Sequence, residues 1–333
     1  MVRFGVEFVP RDVFWKTVYY AVQAERSGFD FVWVTDHFNN RNVYVTLATV
    51  ALYTDRIIFG PGVTNPFLIH PVATASAVAS LTEMAPGRVV CGIGAGDRTT
   101  LDLVGVSAAK PLAAVGEAVQ IMQGLFAGET VEFKGEVFQV LRARLNFKPK
   151  ERVPIYIGAQ GARMLTLAAS IGDGVLINAS HPKDFEEASA HIKAGVSKAG
   201  RDLSALDVAA YTCFSIDEDL KKAVKAAVPI VAVIVGGSPE AVLGRHGIKP
   251  EVGVGIRDAL AKERWGDALS MVTPDLIDAF SICGTPDTCI EKINEVLKMG
   301  VTQFVVGSPI GPDVRKAIGV VSNKVTPHFK EAA

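Results

Sequence analysis

The sequence predicts a (β/α)8 barrel, in which parallel strands alternate with helices. Short apolar segments alternate with segments of helical spacing about eight times along the 333 residues. The apolar segments are nearly continuous, as expected of parallel strands that are buried on both faces. No low-complexity linker divides the chain, so we expect a single domain over residues 1–333 with insertions. A doubly wound sheet is the alternative fold.

The first half of the chain supplies four of the predicted strands. Each strand is a short apolar run, and the segment after it has apolar residues at helical spacing. Glycine or proline marks several of the boundaries, as Gly28 does after the first helix. We expect strands at 2–9, 29–35, 56–60 and 88–93, and helices at 12–27, 43–53, 71–84, 99–104 and 110–126.

The second half of the chain supplies the other four strands and two insertions. The first insertion is a hairpin at 131–140, and the second is a mostly helical region at about 217–280. The apolar run 226–235 in this region packs either in the core or against another subunit, and we expect the second. The remaining strands are predicted at 154–158, 174–178, 206–214 and 303–306, and helices at 162–170, 182–199, 287–299 and from about 313.

Composition excludes several classes of partner. The net charge is −1 without a basic block, so we expect no nucleic-acid partner. The four cysteines are scattered without a CxxC pair, a pattern typical of a reduced cytoplasmic protein. We expect no signal peptide, because the N-terminal residues enter a predicted strand at once. No apolar run has membrane-spanning length, so we expect no membrane partner. The six histidines form no HExxH pair, and we expect no metal.

Small and polar residues follow the predicted strands, and this is the end of a barrel where active sites lie. Small residues leave space and expose backbone N–H groups, which suits a long, planar cofactor that carries a phosphate. The candidate residues are Glu7, Thr35, Asp36, His37, Gly62, Val63, Thr64, Gly94, Ala95, Gly96, Asp97, Gly158, Ala159, Gln160, Gly161, Asn178, Ala179 and Ser180.

Four of these residues carry ionisable groups suited to chemistry. Glu7 lies inside an apolar strand, where burial would raise the pKa of its carboxyl and make it a general acid; a surface Glu paired with a cation is the alternative. The pair Asp36 and His37 can hydrogen-bond a ring system, or Asp36 can cap a helix. Residues 92–97 have the spacing GxGxG rather than GxGxxG, so we reject a dinucleotide fingerprint, and Asp97 either acts in the site or caps a short helix.

Two segments are candidates for holding a phosphate. Residues 158–161 directly precede a predicted helix, whose free N–H groups and dipole attract anions. Asn178 and Ser180 add amide and hydroxyl donors at another strand end. Ordinary turn chemistry is the alternative for each segment, and their occurrence at the same end of the barrel favours a phosphate site.

Nine segments together resemble the F420-dependent 5,10-methylenetetrahydromethanopterin reductases, a family of the bacterial-luciferase-like barrels. They occur from end to end of the chain in the order found in that family. The segments are FGVEFVP from Phe4, TDHFNNRNVY from Thr35, GPGVTNP from Gly60, GIGAGD from Gly92, GAQG from Gly158, DGVLINASHPKDFE from Asp173, DVAAYTCFSIDED from Asp207, AFSICGTPD from Ala279 and GVTQFVVGSPIGPD from Gly300.

The resemblance implies a luciferase-like barrel with a non-prolyl cis peptide bond between Gly62 and Val63, which backs the deazaflavin ring. It also implies reversible reduction of 5,10-methylenetetrahydromethanopterin to its 5-methyl form in methanogenesis or archaeal one-carbon metabolism. Reduced coenzyme F420, a diffusing co-substrate, would supply the hydride. We expect a homodimer or homotetramer. Another F420-dependent dehydrogenase, for an alcohol or a sugar phosphate, and a non-catalytic F420-binding barrel are the alternatives.

The resemblance also suggests roles for the candidate residues. Glu7 would protonate the ring nitrogen of the methylene bridge and then stabilise the resulting cation. Asp97 would orient the pterin or raise the pKa of Glu7. Residues 35–37 and 62–64 would line the deazaflavin with 94–96, and its phosphate would lie near 158–161 and 178–180.

Overall fold

A computed structural model describes residues 2–330 of the chain. The strands within these residues are short, and most are buried along all or all but one of their residues. They are β1 (Arg3–Phe8), β2 (Phe31–Val34), β3 (Ile58–Pro61), β4 (Cys91–Ile93), β5 (Val131–Lys134), β6 (Gln139–Ala143), β7 (Ile155–Gly158), β8 (Gly174–Asn178), β9 (Asp207–Tyr211), β10 (Phe214–Ile216), β11 (Ile282–Gly284), β12 (Gln303–Val306) and β13 (Pro309–Ile310).

The helices follow the strands at most of the predicted positions. A 3-10 turn at Leu203–Ala205 and a π-helical turn at Val321–Val325 accompany them. The α-helices are α1 (Phe14–Arg26), α2 (Val43–Tyr53), α3 (Pro71–Met84), α4 (Arg98–Leu103), α5 (Pro111–Phe126), α6 (Ala162–Ile171), α7 (Pro182–Lys198), α8 (Leu220–Gly237), α9 (Glu240–Arg245), α10 (Pro250–Ala261), α11 (Trp265–Ser270), α12 (Pro274–Phe280), α13 (Pro286–Leu297), α14 (Val314–Val320) and α15 (Pro327–Lys330).

The main sheet of the described residues is parallel and has the strand order β3-β2-β1-β12-β9-β8-β7-β4. Parallel bridges at Phe59–Val89 and Thr64–Ile93 join the chain around β3 to the chain around β4, the two strands at the ends of this order. The predicted (β/α)8 barrel is therefore confirmed, and the doubly wound alternative is wrong. The predicted hairpin is also present, as the antiparallel pair β5 and β6.

The described chain divides into two compact units, and whether it acts as the single expected domain stays a prediction. The larger unit comprises residues 5–176 and 191–207, and the smaller unit comprises the rest. In the larger unit, Trp33 stacks on Phe31 with 6.0 Å between ring centroids and meets Tyr156 edge-on at 5.1 Å. The Tyr156 hydroxyl donates to Asp207 Oδ2 at 2.8 Å. Phe31, Trp33 and Tyr156 therefore form one packed aromatic cluster between the strands.

The smaller unit contains the predicted helical insertion, which forms helices α8 to α12. Ala227, Val231 and Val235 lie on the buried face of α8 and pack against Leu243 and Ile256 in one apolar cluster. One face of the apolar run 226–235 thus packs in the core of the chain, the first of the two alternatives, while Val233 on another face is 46% exposed. Whether the run also packs against another subunit stays a prediction.

The predicted strand 206–214 is interrupted after Tyr211. Thr212 turns both its N–H and its hydroxyl to the carbonyl oxygen of Val305, and the N–H of Cys213 donates to Ser180 Oγ at 3.0 Å. These contacts end the ladder of β9. The next residues form β10, which pairs with β11 and β13 in a separate three-stranded sheet. The sequence did not predict β11 or β13.

The described residues can be compared with the expectations about a membrane, a metal and the cysteines. No helix within residues 2–330 is both long enough and apolar enough to cross a bilayer. In the same residues, no group of three or more His, Cys, Asp or Glu side chains is arranged to hold a metal ion. All four cysteines are buried and free, and burial raises the pKa of the Cys91 thiol to about 12.

Candidate functional site

The candidate residues of the larger unit lie on adjoining strand ends. Backbone hydrogen bonds connect them in turn: the Thr35 N–H donates to Phe8 O at 3.1 Å, and the Gly62 N–H donates to Val34 O at 2.8 Å. The Gly94 N–H donates to Thr64 O at 2.9 Å. The loops after β1, β2, β3 and β4 are therefore neighbours, and the sequence-based grouping of Glu7 with residues 35–37, 62–64 and 94–97 is observed.

The peptide bond between Gly62 and Val63 is cis, as the resemblance implied. Glycines surround the Val63 side chain: a methyl group on Gly94 would lie 2.9 Å from Val63 Cγ2, and a methyl group on Gly158 would lie 3.4 Å from the same atom. A methyl group on Gly92 would lie 3.1 Å from Val63 Cγ1. Gly92, Gly94 and Gly158 therefore present only backbone to the Val63 side chain, which packs closely against them.

Asp36 is the acceptor at the end of a short hydrogen-bond chain. Thr64 Oγ1 donates to Asp36 Oδ2 at 2.7 Å, and the Tyr44 hydroxyl lies 3.4 Å from Thr64 Oγ1. Burial raises the pKa of Asp36, although the hydrogen bond from Thr64 and the proximity of His37 act in the opposite direction. Burial thus favours the neutral form of the Asp36 carboxyl, whereas the hydrogen bond from Thr64 favours its ionised form.

Thr35 and His37 flank Asp36 in the same loop. The Thr35 hydroxyl oxygen is buried and has no hydrogen-bond partner among the described residues. Because a buried hydroxyl without a partner is costly, this group is suited to pair with a polar atom of a ligand. Burial lowers the pKa of His37, while Asp97 and Asp36 raise it, so its imidazole is neutral near pH 7.

Glu7 is buried on β1, with 7% of its surface exposed, and it stands opposite Trp33 on β2. Its neighbours Val6 and Phe8 belong to the core. The Glu7 side chain therefore lies inside the barrel and not on the open surface, and its role in acid–base chemistry stays a prediction.

Asp97 is exposed and caps the short helix α4. Its Oδ2 accepts from the Thr100 backbone N–H at 2.9 Å and from the Thr100 hydroxyl at 2.6 Å. The capping alternative is therefore observed, and it fixes one carboxylate oxygen of Asp97. The other candidates of this loop, Ala95 and Gly96, lie beside it with increasing exposure.

The predicted phosphate segment of the larger unit precedes helix α6. Gly161 is the N-cap residue, and a methyl group placed on it would meet no atom of the described chain within 4 Å. The first N–H groups of α6 have no side-chain cap in the described residues, so they remain suited to an anion. The Ala159 N–H is different, because it donates to Leu176 O within the sheet. Gln160 is half-buried.

The other predicted phosphate segment belongs to the smaller unit. Asn178 is exposed, Ala179 is half-buried and Ser180 is buried. Ser180 Oγ accepts a hydrogen bond from the Cys213 N–H, so one of the hydrogen bonds that this hydroxyl can make is already formed within the protein.

Two residues of the site were missed by the sequence-based prediction. Tyr44 reaches Thr64 from the first turn of α2, where Asn42 caps the helix by accepting from the Tyr44 N–H at 3.0 Å. Asn65 is buried and holds the loop after β3 by accepting from the N–H groups of Phe67 and Leu68. Both residues lie within segments that carry the family resemblance, and this was the available signal.

Comparisons with known proteins agree on the family and on the fold. The sequence pattern of the luciferase-like monooxygenase family matches residues 7–303. The 5,10-methylenetetrahydromethanopterin reductase of Archaeoglobus fulgidus is 51% identical over 98% of this chain and 100% of its own. The enzyme of the same name from Methanolobus tindarius is 51% identical over 97% of this chain and 99% of its own. The structure of the coenzyme F420-dependent tetrahydromethanopterin reductase of Methanopyrus kandleri superposes with a TM-score of 0.93 at 43% identity, covering 98% of this chain and 99% of that one.

Proposed function

This chain belongs to the luciferase-like monooxygenase family, and we infer that it reversibly reduces 5,10-methylenetetrahydromethanopterin to 5-methyltetrahydromethanopterin with coenzyme F420. The observation that carries this conclusion is 51% identity over 98% of the chain to a reductase of that name. Dehydrogenation of an alcohol or a sugar phosphate, and F420 binding without catalysis, are not favoured. The reaction belongs to methanogenesis or archaeal one-carbon metabolism.

The residues of the larger unit fit coenzyme F420. We place the flat ring beside Val63, where Gly94 and Gly158 carry no side chain, and the buried Thr35 hydroxyl offers a hydrogen bond that the described chain does not use. Asp36, His37 and Thr64 supply further polar contacts, and the start of α6 after Gly161 suits the phosphate. When bound, the reduced coenzyme supplies the hydride; the protein orients the two ligands and manages one proton.

We propose that Glu7 is the proton donor. Its carboxyl group is buried among apolar residues on β1, where a proton can be held and released without competition from bulk water. It would protonate the ring nitrogen of the methylene bridge, and the resulting carboxylate would stabilise the cationic pterin. We propose that Asp97 orients the pterin; its exposed carboxylate at the start of α4, in the loop after β4, supports this role.

The substitution Glu7→Gln tests the proton donor. We expect turnover to fall by about 10²–10⁴-fold, the usual contribution of a general acid, while F420 still binds. Glu25→Gln is the matched control, because Glu25 is equally buried in the same unit but accepts from the backbone N–H groups of Asp55, Arg56 and Ile57. The control should lose stability and keep its turnover at temperatures where it is folded. Near-native turnover in Glu7→Gln would remove Glu7 from this role.

A panel of substrates tests the reaction itself. Oxidation of reduced F420 is followed with the methylene pterin, and reduction of F420 is followed with the methyl pterin, a secondary alcohol and a sugar phosphate. We expect activity with the two pterins alone. Activity with the alcohol or the sugar phosphate but not with the pterins would contradict the proposal.

We also propose that the protein is a homodimer or a homotetramer. Helices α1 and α2 of the larger unit carry exposed apolar side chains, including Trp15 at 59% and Leu52 at 70% exposure. Apolar patches of this kind commonly mark protein–protein contacts. Light scattering after size-exclusion chromatography tests this proposal, and a monomer at micromolar concentration would refute it.

A further inference from the structure

Tyr44, Thr64 and Asp36 form a hydrogen-bond chain whose direction is fixed by chemistry. An ionised carboxylate only accepts, so the single proton of the Thr64 hydroxyl points to Asp36 Oδ2 over 2.7 Å. The oxygen of Thr64 is then free to accept from the Tyr44 hydroxyl at 3.4 Å. Burial raises the pKa of Tyr44 further above its ordinary value, so its proton stays in place throughout the working pH range.

Rigid elements hold both donors of this chain. Thr64 is completely buried, and its backbone is tied to the β4 region because its N–H donates to Gly92 O and its carbonyl accepts from Gly94 N–H. Tyr44 lies in the capped first turn of α2. Asp36 itself is only half-buried and stands in a loop, so the donors, and not the loop, determine its orientation.

We propose that Tyr44 and Thr64 are positioning residues for coenzyme F420: they hold Asp36 ionised and in one orientation, so that its second oxygen, Oδ1, accepts a hydrogen bond from an N–H group of the bound ring. This inference rests on the proposed function, which places Asp36 in the F420 site. A protonated or reoriented Asp36 would present a donor or no group at all to the ring, and binding would weaken.

Several other ionisable groups surround this chain, and they must be considered with it. His37 lies beside Asp36 in the same loop, and Asp97 and Arg11 act electrostatically on His37. Cys91 of β4 lies near Tyr44, but its buried thiol stays neutral. His37 is present in every Thr64 variant. Differences in Asp36 pKa or F420 affinity between these variants therefore report on the hydrogen bond from Thr64 to Asp36 and not on the titration of His37.

The test combines a measurement without coenzyme and one with it. Carboxyl-¹³C NMR of the coenzyme-free protein gives the pKa of Asp36, with the signal assigned by its loss in Asp36→Asn. Fluorescence titration gives the dissociation constant of F420 as a function of pH. The variants are Thr64→Val, which removes the hydroxyl at nearly constant shape, Thr64→Ser, which restores it, and Tyr44→Phe. Thr49→Val is the matched control, because the Thr49 hydroxyl bonds within α2 to Val45 O.

In Thr64→Val we expect a higher pKa of Asp36 and an approximately 10-fold weaker binding of F420 at neutral pH, since a hydrogen bond to a charged group is lost. Thr64→Ser should recover most of the wild-type pH dependence of F420 binding. Tyr44→Phe should shift this dependence in the same direction as Thr64→Val but by less, and Thr49→Val should leave it unchanged. An unchanged Asp36 pKa and F420 affinity in Thr64→Val would overturn the proposal.

The two measurements separate this proposal from the proposed function. A raised Asp36 pKa in Thr64→Val together with wild-type F420 affinity in Asp36→Asn would show that Asp36 does not touch the coenzyme, and would overturn the positioning role. Failure of the wild-type protein to bind F420 at all would overturn the proposed function.

Discussion

Gly94 and Gly158 offer the sharpest test of where the coenzyme ring lies, because a methyl group at either position enters the space beside Val63. The new methyl of Gly94→Ala would lie 2.9 Å from Val63 Cγ2 and 3.7 Å from Gly158 Cα. Carbon atoms in contact prefer about 3.5–4.0 Å, so Val63 must move by roughly half an ångström or more. In Gly158→Ala the nearest atom is the same Cγ2 at 3.4 Å, which requires almost no movement.

These distances predict different stabilities and similar binding defects. Mild overpacking against the end of one side chain should cost Gly94→Ala about 1 kcal/mol, or roughly 2–4 °C in Tm. Gly158→Ala should keep the wild-type Tm. Both methyl groups occupy space that we assign to the ring, so we expect F420 to bind about 10–100-fold more weakly to each, the effect of 1–3 kcal/mol of steric conflict.

The assays are thermal unfolding without coenzyme and fluorescence titration with F420. Gly319→Ala, where the new methyl meets no described atom within 4 Å, is the control for a general effect of replacing glycine, and it should bind F420 normally. Wild-type affinity in both Gly94→Ala and Gly158→Ala would refute the placement of the ring beside Val63, whatever the Tm values.

Two further predictions concern stability. Asp184 is buried and accepts hydrogen bonds from the Arg245 guanidinium at 2.5 Å and from His246 Nε2 at 3.1 Å. Asp184→Asn should therefore lower the free energy of unfolding by about 3 kcal/mol in urea titrations. The control Asp278→Asn loses an exposed ion pair with Lys292 and should lower it by less than about 1 kcal/mol. Equal losses in the two variants would contradict this reasoning. Burial raises the pKa of Glu25, but the N–H groups of Arg56, Ile57 and Asp55 outweigh it and lower the pKa below the ordinary 4.5. A carboxyl group whose pKa is lowered by folding stabilises the protein at pH values above its ordinary pKa, and this contribution is lost as the pH falls through the pKa of the folded state. Glu25→Gln should therefore be less stable than wild type at pH 7, and the difference should shrink in acid. A difference in stability that stays constant from pH 3 to 8 would contradict this.

The sequence predicted those elements whose boundaries depend on local chemistry. Helix α2 and strands β8 and β12 have the predicted ends, because continuous apolar runs there stop at Gly, Asn or Thr. The end of β9 was placed too late, because it depends on the hydroxyl of Ser180, which is distant in sequence and holds the N–H of Cys213. No local pattern contains that contact.

The same distinction applies to the candidate site. Glycines and polar residues at strand ends were found because barrel topology alone brings these ends together. The role of Tyr44 was not found, because its hydroxyl reaches Thr64 only through the packing of α2 on the sheet. Ala159 was assigned as a donor to a phosphate, and its N–H belongs to the sheet instead, since strand pairing continues one residue beyond β7.

Thr64 connects the two parts of the site that the sequence suggested separately. Its backbone bonds to Gly92 of β4 and to Gly94 directly after β4, two glycines that border Val63, while its side chain bonds to Asp36. A shift of the loop after β3 would therefore move Val63 and release Asp36 at the same time. The space for the ring and the acceptor for its polar edge consequently depend on one buried residue, so the shape and the hydrogen bonding of the site cannot vary independently.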